Sequence, residues 1–293
     1  MKKIGRYIAE KFLFAASHLP LWVLYGFSTL SYFVLRYIVR YRHQVIESNL
    51  RHSFPEKSDA EIKAIHSTFL RHFCDLVFET LKALSISEQE LLKRFVIKNP
   101  EVVNRYYEQN RSVLLFAAHF GNWEWFISMP IYFKHRPVTL YQQLSSGLMD
   151  KMVRYCRERT GVLAAESANG YKTIAGLAAQ HIPSITLIIG DQSPVRKSSK
   201  HWVTFLHQET AFLVGTDRIA KKMDQVVVYP SFTSPRRGYY EVELKLIEDQ
   251  VAAGGDSSQI IERYAKFLKQ DIEKNPSLWL WSHRRWKLKK PLE

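Results

Sequence analysis

His119 and Glu124 carry side chains that can perform acid–base chemistry, and they follow a short apolar run at a suggestive spacing. The run Leu114–Ala118 predicts a strand, Gly121 permits a sharp turn after it, and Asn122 is a good helix cap. Glu124 would then lie in the first helical turn, where its carboxylate can reach one imidazole nitrogen and fix the tautomer. The other nitrogen is left free, so this stretch predicts a general base acting on a hydroxyl or amine that attacks an activated carbonyl. A strand-end histidine that is merely hydrogen-bonded to a neighbour is the structural alternative.

The motifs of several other chemistries are missing from the chain. It contains no G-x-S-x-G elbow, no G-x-G-x-x-G loop, no P-loop and no H-E-x-x-H pair. The two cysteines, Cys74 and Cys156, form no C-x-x-C motif, which disfavours a metal cluster or a disulfide framework. The sequence therefore predicts an enzyme without a metal or a cofactor, whose catalytic part lies in a reducing compartment.

Apolar strands alternate with helical patterns after about residue 111, which favours an α/β fold with a mostly parallel central sheet flanked by helices. The predicted strands are 112–118, 137–142, 184–189, 225–229 and 239–247, and the predicted helices between and after them are 122–133, 148–159, 170–181, 216–223 and 257–274. Sites in such sheets lie at the carboxyl ends of the strands. His119 and Asp191 both follow strands directly, so we expect them to share one crevice.

A longer helix precedes the predicted sheet. Ser58 and Glu61 form a capping box that opens it, and apolar residues recur at helical spacing to about Leu84. Glu79 lies close to this apolar stripe, where a carboxylate needs a partner. We expect an ion pair with a nearby arginine, and a role in the site is the alternative.

Residues 1–43 differ in composition from residues 44–293. Phe12–Leu35 is a run of 24 residues without Asp, Glu, Lys or Arg, flanked on both sides by basic residues. About 20 apolar residues can cross a bilayer. We therefore predict an N-terminal membrane-anchoring helix, beginning near Leu21 after Pro20, followed by a catalytic domain at 44–293. Whether the run spans the bilayer or lies in the interface is open, and a buried core helix is the alternative.

The formal net charge of +14 and the aromatic content of 13% indicate an anionic partner and an interfacial protein. Basic residues concentrate in three clusters. These are Arg196, Lys197 and Lys200; Arg236 and Arg237; and His283, Arg284, Arg285, Lys287, Lys289 and Lys290, interleaved with Trp279, Trp281 and Trp286. Arg and Lys beside Trp suit a headgroup boundary. No nucleic-acid motif is present, so we expect no nucleic-acid partner.

The stretch His119–Glu124 resembles the H-x4-E motif of the bacterial lipid A biosynthesis acyltransferases, the lauroyl and myristoyl transferases within the glycerolipid and lysophospholipid acyltransferase superfamily. Further matches follow in the family's order along nearly the whole chain. They are Asn49-Leu50 with Phe54-Pro55-Glu56, Glu79, Arg157-Glu158-Arg159-Thr160-Gly161, Asp191-Gln192, and Leu280-Trp281-Ser282-His283-Arg284-Arg285-Trp286-Lys287. Two segments depart from the family pattern, at 193–197 and 205–210, and this puts the substrate in question more than the reaction.

The resemblance implies a glycerolipid acyltransferase-like fold and a defined reaction. A fatty acyl chain would pass from acyl carrier protein to a hydroxyl of a lipid A precursor, at the cytoplasmic face of the bacterial inner membrane. His119 would be the base and Glu124 would orient it. The developing oxyanion needs donors. Arg157, Arg159 or a backbone N–H near Gly121 are the candidates, with Arg159 preferred.

Asp191 and Gln192 would shape the site by hydrogen bonding. Three alternatives stay open at this point. The acceptor could be another lipid, such as a lysophospholipid, an aminoacyl lipid or another glycolipid. The chain could be a thioesterase-like hydrolase in which His119 activates water, or a catalytically idle membrane-bound binding protein.

Overall fold

The computed structural model describes residues 2–141, 146–195, 200–251 and 257–290. Within these ranges the strands are β1 (Phe95–Ile97), β2 (Val113–Ala117), β3 (Arg136–Tyr141), β4 (Leu163–Glu166), β5 (Ser184–Ile189), β6 (Lys200–Phe205), β7 (Gln208–Leu213), β8 (Val226–Arg236) and β9 (Tyr239–Glu248). The α-helices are α1 (Lys2–Ser17), α2 (Leu21–Phe33), α3 (His43–Ser53), α4 (Asp59–Lys82), α5 (Glu88–Arg94), α6 (Glu101–Glu108), α7 (Met129–Tyr132), α8 (Gly147–Glu158), α9 (Gly170–Ala179), α10 (Gly215–Lys222) and α11 (Ser257–Lys274). A π-helical turn at Val34–Ile38 extends α2, and 3-10 helices cover Trp123–Ser128 and Pro276–Leu278.

Seven strands form one sheet in the order β1-β9-β8-β2-β5-β3-β4. Only the pair β8–β9 is antiparallel among the neighbours in this sheet as described. The predicted α/β class with a mostly parallel sheet and flanking helices is therefore confirmed. Strand β2 lies at the centre with every residue buried, as its continuous apolar run requires. Helix α11 packs over it, where the ring of Tyr264 stacks on Phe116 at 3.8 Å between centroids.

The predicted strands at 112–118 and 184–189 correspond to β2 and β5, and the predicted helix at 257–274 corresponds to α11. Strands β1 and β4 and the antiparallel hairpin β6–β7 are not among the predicted elements. The hairpin turn places Leu206 and His207 at φ of 50° and 62°. Such turns usually contain Gly, Asn or Asp, and neither Leu206 nor His207 belongs to these residue types.

Helix α4 begins with the predicted capping box between Ser58 and Glu61. The expected ion pair of Glu79 with an arginine is wrong. The Glu79 carboxylate is fully buried and accepts hydrogen bonds from Tyr25 (2.8 Å), Tyr240 (2.8 Å) and Asn122 (2.7 Å). Burial raises its pKa to about 7, because the three neutral donors do not fully replace water.

Helix α2 starts at Leu21, directly after Pro20 as predicted. The segment Leu21–Ile38 has a mean hydropathy of 1.2 over 18 residues and is the one stretch in the described chain that is long and apolar enough to cross a membrane. One side of α2 is bound to α4. Tyr25 of α2 donates to Glu79, and Ser28 of α2 donates to buried Asp75 at 2.5 Å.

The opposite side of this N-terminal region exposes apolar side chains. Phe12 of α1 is 70% exposed, and Trp22 and Ile38 are each 77% exposed. A soluble surface rarely carries so many large apolar groups together, so this face is a candidate membrane anchor. The division of the chain at residue 43 stays a prediction. The contacts of α2 with α4 join the two predicted parts.

Candidate active site

The site lies at the carboxyl ends of β2 and β5, which are neighbouring parallel strands. Ala117 and Ile189 are partners in the register of these strands. His119 and Asp191 each follow two residues later, so the register itself brings the two side chains together. The expectation of a shared crevice is confirmed by a distance of 2.7 Å between His119 Nδ1 and Asp191 Oδ1.

Asp191 is held as an ionised acid beneath the imidazole. It is only 3% exposed, and its second oxygen accepts a hydrogen bond from Trp279 Nε1 at 2.8 Å. Burial by itself would raise the pKa of Asp191, but His119 and the Trp279 N–H together hold that pKa below its ordinary value. A carboxylate on Nδ1 places the proton there, which leaves His119 Nε2 as the acceptor nitrogen.

Gln192 lies against that acceptor nitrogen. Its side-chain amide is 3.2 Å from His119 Nε2, and the imidazole is about one-fifth exposed. An N–H of the amide therefore takes the place that a substrate hydroxyl would occupy while it gives up its proton.

The C-terminal segment closes the back of the site. Trp279 pairs with Phe120 as an antiparallel bridge, and the Leu280 N–H donates to the His119 carbonyl at 3.1 Å. The Gly121 N–H donates to the Leu278 carbonyl at 3.0 Å. That N–H is therefore already occupied, and the expectation of an oxyanion donor among the other backbone N–H groups near Gly121 stays a prediction.

The turn after His119 has the conformation that its glycine suggests. Gly121 has φ of +65°, and a Cβ there would lie 2.6 Å from Cδ1 of Phe232. Asn122 caps the following helix as predicted, since its side-chain oxygen accepts from the Trp125 N–H at 3.2 Å. The amide group of Asn122 donates to Glu79, so the buried Glu79 is attached to the turn that follows His119.

Glu124 does not orient the imidazole, which corrects the prediction made from spacing. Its carboxylate accepts from Trp123 Nε1 at 3.2 Å and from an Arg157 nitrogen at 3.3 Å. The Trp123 ring packs edge-on against His119, at 5.0 Å between centroids, and so contacts both groups. Asp191 already takes the Nδ1 position, and the helix begins as a 3-10 turn that directs Glu124 toward Arg157.

The two arginines of the Arg157–Gly161 motif have different surroundings. Arg159 donates to the carbonyls of Ala83 and Ile86 in the segment that follows α4, so its guanidinium is bound there. The preference for Arg159 as the oxyanion donor is therefore wrong. Arg157 keeps a buried nitrogen, Nη1, without a partner among the described residues. It lines a gap of about 20 Å³ beside Trp123 and Glu124, room for about one oxygen-sized group.

The C-terminal basic cluster is divided between the core and the surface. Arg285 is 2% exposed, donates to the Ala211 carbonyl and lies over the Phe212 ring. Burial lowers the pKa of Arg285 to about 10. Trp279 and Trp281 are buried as well, so the expectation that these tryptophans face headgroups is wrong.

Arg236 and Arg237, the second basic cluster, also contact neighbouring side chains. Arg237 pairs with buried Asp75 at 2.5 Å, and Arg236 lies over the Tyr239 ring. Arg196 and Lys197 lie outside the described residues. No three or more His, Cys, Asp or Glu side chains gather as a metal site in the part of the chain that the structure describes.

Trp279 is the site residue that sequence reasoning missed. Its position among basic residues predicts a place at the membrane boundary, yet its indole N–H donates to Asp191. The only available signal was its position directly before the Leu280–Lys287 motif.

Comparison with known proteins identifies the enzyme class of this chain. A family model matches residues 2–288 of the chain, nearly its whole length, and that model describes an acyltransferase. The chain belongs to the bacterial lipid A biosynthesis acyltransferases.

Among solved structures, the 1-acyl-sn-glycerophosphate (LPA) acyltransferase PlsC from Thermotoga maritima is similar, with 10% sequence identity and a TM-score of 0.40. The match covers 86% of this chain and 97% of that one. This is a distant likeness, and it says nothing about the substrate of this chain. A comparison with curated protein sequences found no match.

Proposed function

We propose that the protein transfers a fatty acyl chain from an acyl carrier protein thioester to a hydroxyl of a lipid A precursor. Family membership supports the reaction class. One observation carries the mechanism: His119 has Nδ1 on an ionised, buried carboxylate, and Nε2 faces the Gln192 amide as the acceptor nitrogen. That is the arrangement of a neutral, oriented general base.

The chemistry proceeds in two steps at this base. His119 Nε2 takes the proton of the acceptor hydroxyl as its oxygen attacks the thioester carbonyl carbon, and Asp191 stabilises the imidazolium that forms. The tetrahedral intermediate then collapses, the carbon–sulfur bond breaks, and the imidazolium returns the proton to the leaving thiolate. An ester and a free carrier thiol are the products.

Arg157 is the proposed oxyanion donor. Its unpartnered Nη1 is buried, and the Glu124 carboxylate holds the guanidinium in place. A fixed, desolvated donor is worth most where charge develops. Glu124 is then a positioning residue for Arg157, and the acceptor hydroxyl replaces the Gln192 amide at His119 Nε2.

We place the enzyme at the cytoplasmic face of the bacterial inner membrane. The exposed apolar face of α1 and α2 supports anchoring. Helix α2 is hydrogen-bonded to α4, which favours a position at the membrane boundary in contact with the rest of the protein. A helix that crosses the bilayer on its own would lose these hydrogen bonds. The net charge of +14 suits both an acidic carrier protein and an anionic membrane surface.

The test uses the purified full-length chain with acyl carrier protein thioester and a lipid A precursor, and mass spectrometry follows both products. We expect acyl transfer that His119→Ala abolishes. Free fatty acid released at the same rate without acceptor would identify a hydrolase. Transfer to a lysophospholipid in preference to the lipid A precursor would contradict the proposed acceptor. Full activity in His119→Ala would refute the mechanism.

A further inference from the structure

A basic cavity of about 790 Å³ lies where the end of the apolar N-terminal helix meets the C-terminal segment. Four of its lining residues carry permanent positive charge: Arg40, Arg42, Arg284 and Lys287. His43 and His283 contribute two imidazoles, and no Asp or Glu among the described residues lines it. The volume falls in the range of small-molecule sites. Like charges gathered around one cavity repel each other unless an anion neutralises them.

The walls of this cavity are held in place by both ends of the chain. Arg42 donates to the Ser282 carbonyl at 2.8 Å. Asn49, about two turns further along in α3, donates to the carbonyls of Trp281 and His283 at 2.8 and 2.9 Å. The cationic groups therefore surround a preorganised space.

The backbone before α3 adopts an unusual conformation at the same place. Arg40 and Arg42 have φ of 51° and 46°, in the left-handed region that disfavours residues with a Cβ. The first turn of α3, at His43 to Val45, also lines the cavity, and the positive end of its dipole adds to the field of the cations.

The cavity connects on one side to the catalytic base. His283 lies in its wall, and His283 Nε2 accepts a hydrogen bond from the Ser193 N–H at 3.2 Å. Ser193 follows Gln192, which contacts His119 Nε2. A ligand in the cavity is thus separated from the reacting nitrogen by a short, hydrogen-bonded segment.

On the other side the cavity faces the candidate membrane anchor. A second cavity of about 180 Å³ shares Arg40 and His43 with it and is lined further by Leu35, Tyr37 and Tyr41. Tyr37 and Ile38 are exposed at this end of the helix. A ligand that fits both cavities has an anionic head beside the cations and apolar chains toward the membrane.

We infer that this cavity binds the phosphate group of the membrane-lipid acceptor and so positions the acceptor hydroxyl at His119. The inference rests on the proposed function. Cations in a concave space suit a phosphate with several acceptor oxygens, and the neighbouring apolar helix end suits its lipid. The carrier protein is a less suitable ligand, because the surface of an acidic protein is convex and does not fill a concave space.

The experiment compares the full-length protein with the double variant Arg40→Ala/Arg284→Ala in detergent micelles. The probes are a phosphorylated lipid A precursor and the same lipid after phosphatase treatment, with binding followed by tryptophan fluorescence. Each lost cation near a lipid headgroup should weaken binding about fivefold, so the double variant should lose more than tenfold in affinity for the phosphorylated lipid only. Arg136→Ala is the control, since Arg136 is exposed at the amino end of β3, whereas the site lies at the carboxyl ends of the strands.

Several results would overturn the inference. One is equal affinity of the double variant and the unmodified chain for the phosphorylated lipid. Another is an equal loss for both lipids. Inorganic phosphate that binds the unmodified chain as tightly as the lipid does would indicate a free-phosphate site. A double variant that loses affinity for acyl carrier protein and keeps its affinity for the lipid would make the cavity a carrier-docking site.

Kinetics separate this inference from the proposed function. We expect the double variant to raise KM for the phosphorylated acceptor by more than tenfold with kcat nearly unchanged. Normal transfer with an unchanged KM would refute the cavity assignment while the function stands. Phosphate-dependent binding without any acyl transfer would refute the function while the cavity assignment stands.

Discussion

Replacing Asp191 with asparagine should remove most of the activity while leaving the shape of the site intact. The amide keeps the volume of the carboxylate and can still accept from Trp279, but it carries no charge to stabilise an imidazolium. With 2.7 Å between His119 Nδ1 and Asp191 Oδ1, the two charge centres lie about 4 Å apart. At an effective dielectric constant of about 20 the interaction is worth about 4 kcal/mol, which corresponds to about a 1,000-fold lower kcat.

The assay is steady-state transfer from acyl carrier protein thioester to the lipid acceptor, with Glu124→Gln measured beside Asp191→Asn. Glu124 does not contact the imidazole, so its variant should lose only about tenfold, through a looser Arg157. KM for the acceptor should change little in Asp191→Asn, because Asp191 is buried behind the base. A large loss in Glu124→Gln with a small one in Asp191→Asn would refute this reasoning and restore the orienting role expected from spacing alone.

Three further substitutions test other parts of the site. Arg157→Ala should lower kcat by about 100-fold, since it removes a buried donor, Nη1, that has no partner among the described residues; a raised KM with an unchanged kcat would exclude an oxyanion role. Because the folded pKa of Glu79 lies near 7 and above its ordinary value, its contribution to stability is complete below about pH 4.5 and is lost as pH rises through 7, by about 3 kcal/mol. Glu79→Gln should remove that slope from urea unfolding curves measured across this pH window, and parallel curves would contradict the assignment. Gly121→Ala should cost about 1–3 kcal/mol of unfolding free energy, from the positive φ and the close approach to Phe232, and a variant as stable as the unmodified chain would contradict it.

The sheet was predictable from sequence because its central strands are continuous apolar runs bounded by clear turn residues. β2 and β5 show this plainly. The hairpin β6–β7 was not predictable, since β6 is only partly buried and its turn is made by Leu206 and His207 instead of glycine or asparagine. Short β1 gains its strand conformation from pairing with β9, far along the chain.

The positions of the site residues in the fold were easier to predict than the contacts of their side chains. His119 and Asp191 were placed at one sheet edge because parallel strands end together. Which acid touches the imidazole depended on strand register and on the 3-10 start of the following helix, and neither can be read from a five-residue spacing. The surroundings of Arg157 and Arg159 are likewise set by distant partners, Glu124 for one and the end of α4 for the other.

The hydrogen bonds from α2 to α4 bear on how this enzyme can be handled. Removing residues 1–43 to obtain a water-soluble fragment would strip the Tyr25 and Ser28 hydroxyls from two buried carboxylates, Glu79 and Asp75. Each carboxylate would then lose a donor in the interior, at a cost of about 1–3 kcal/mol apiece. Glu79 also supports Asn122 and thereby the catalytic turn. Helix α2 is therefore a structural part of the enzyme, and a truncated fragment should fail to fold before its activity can be measured.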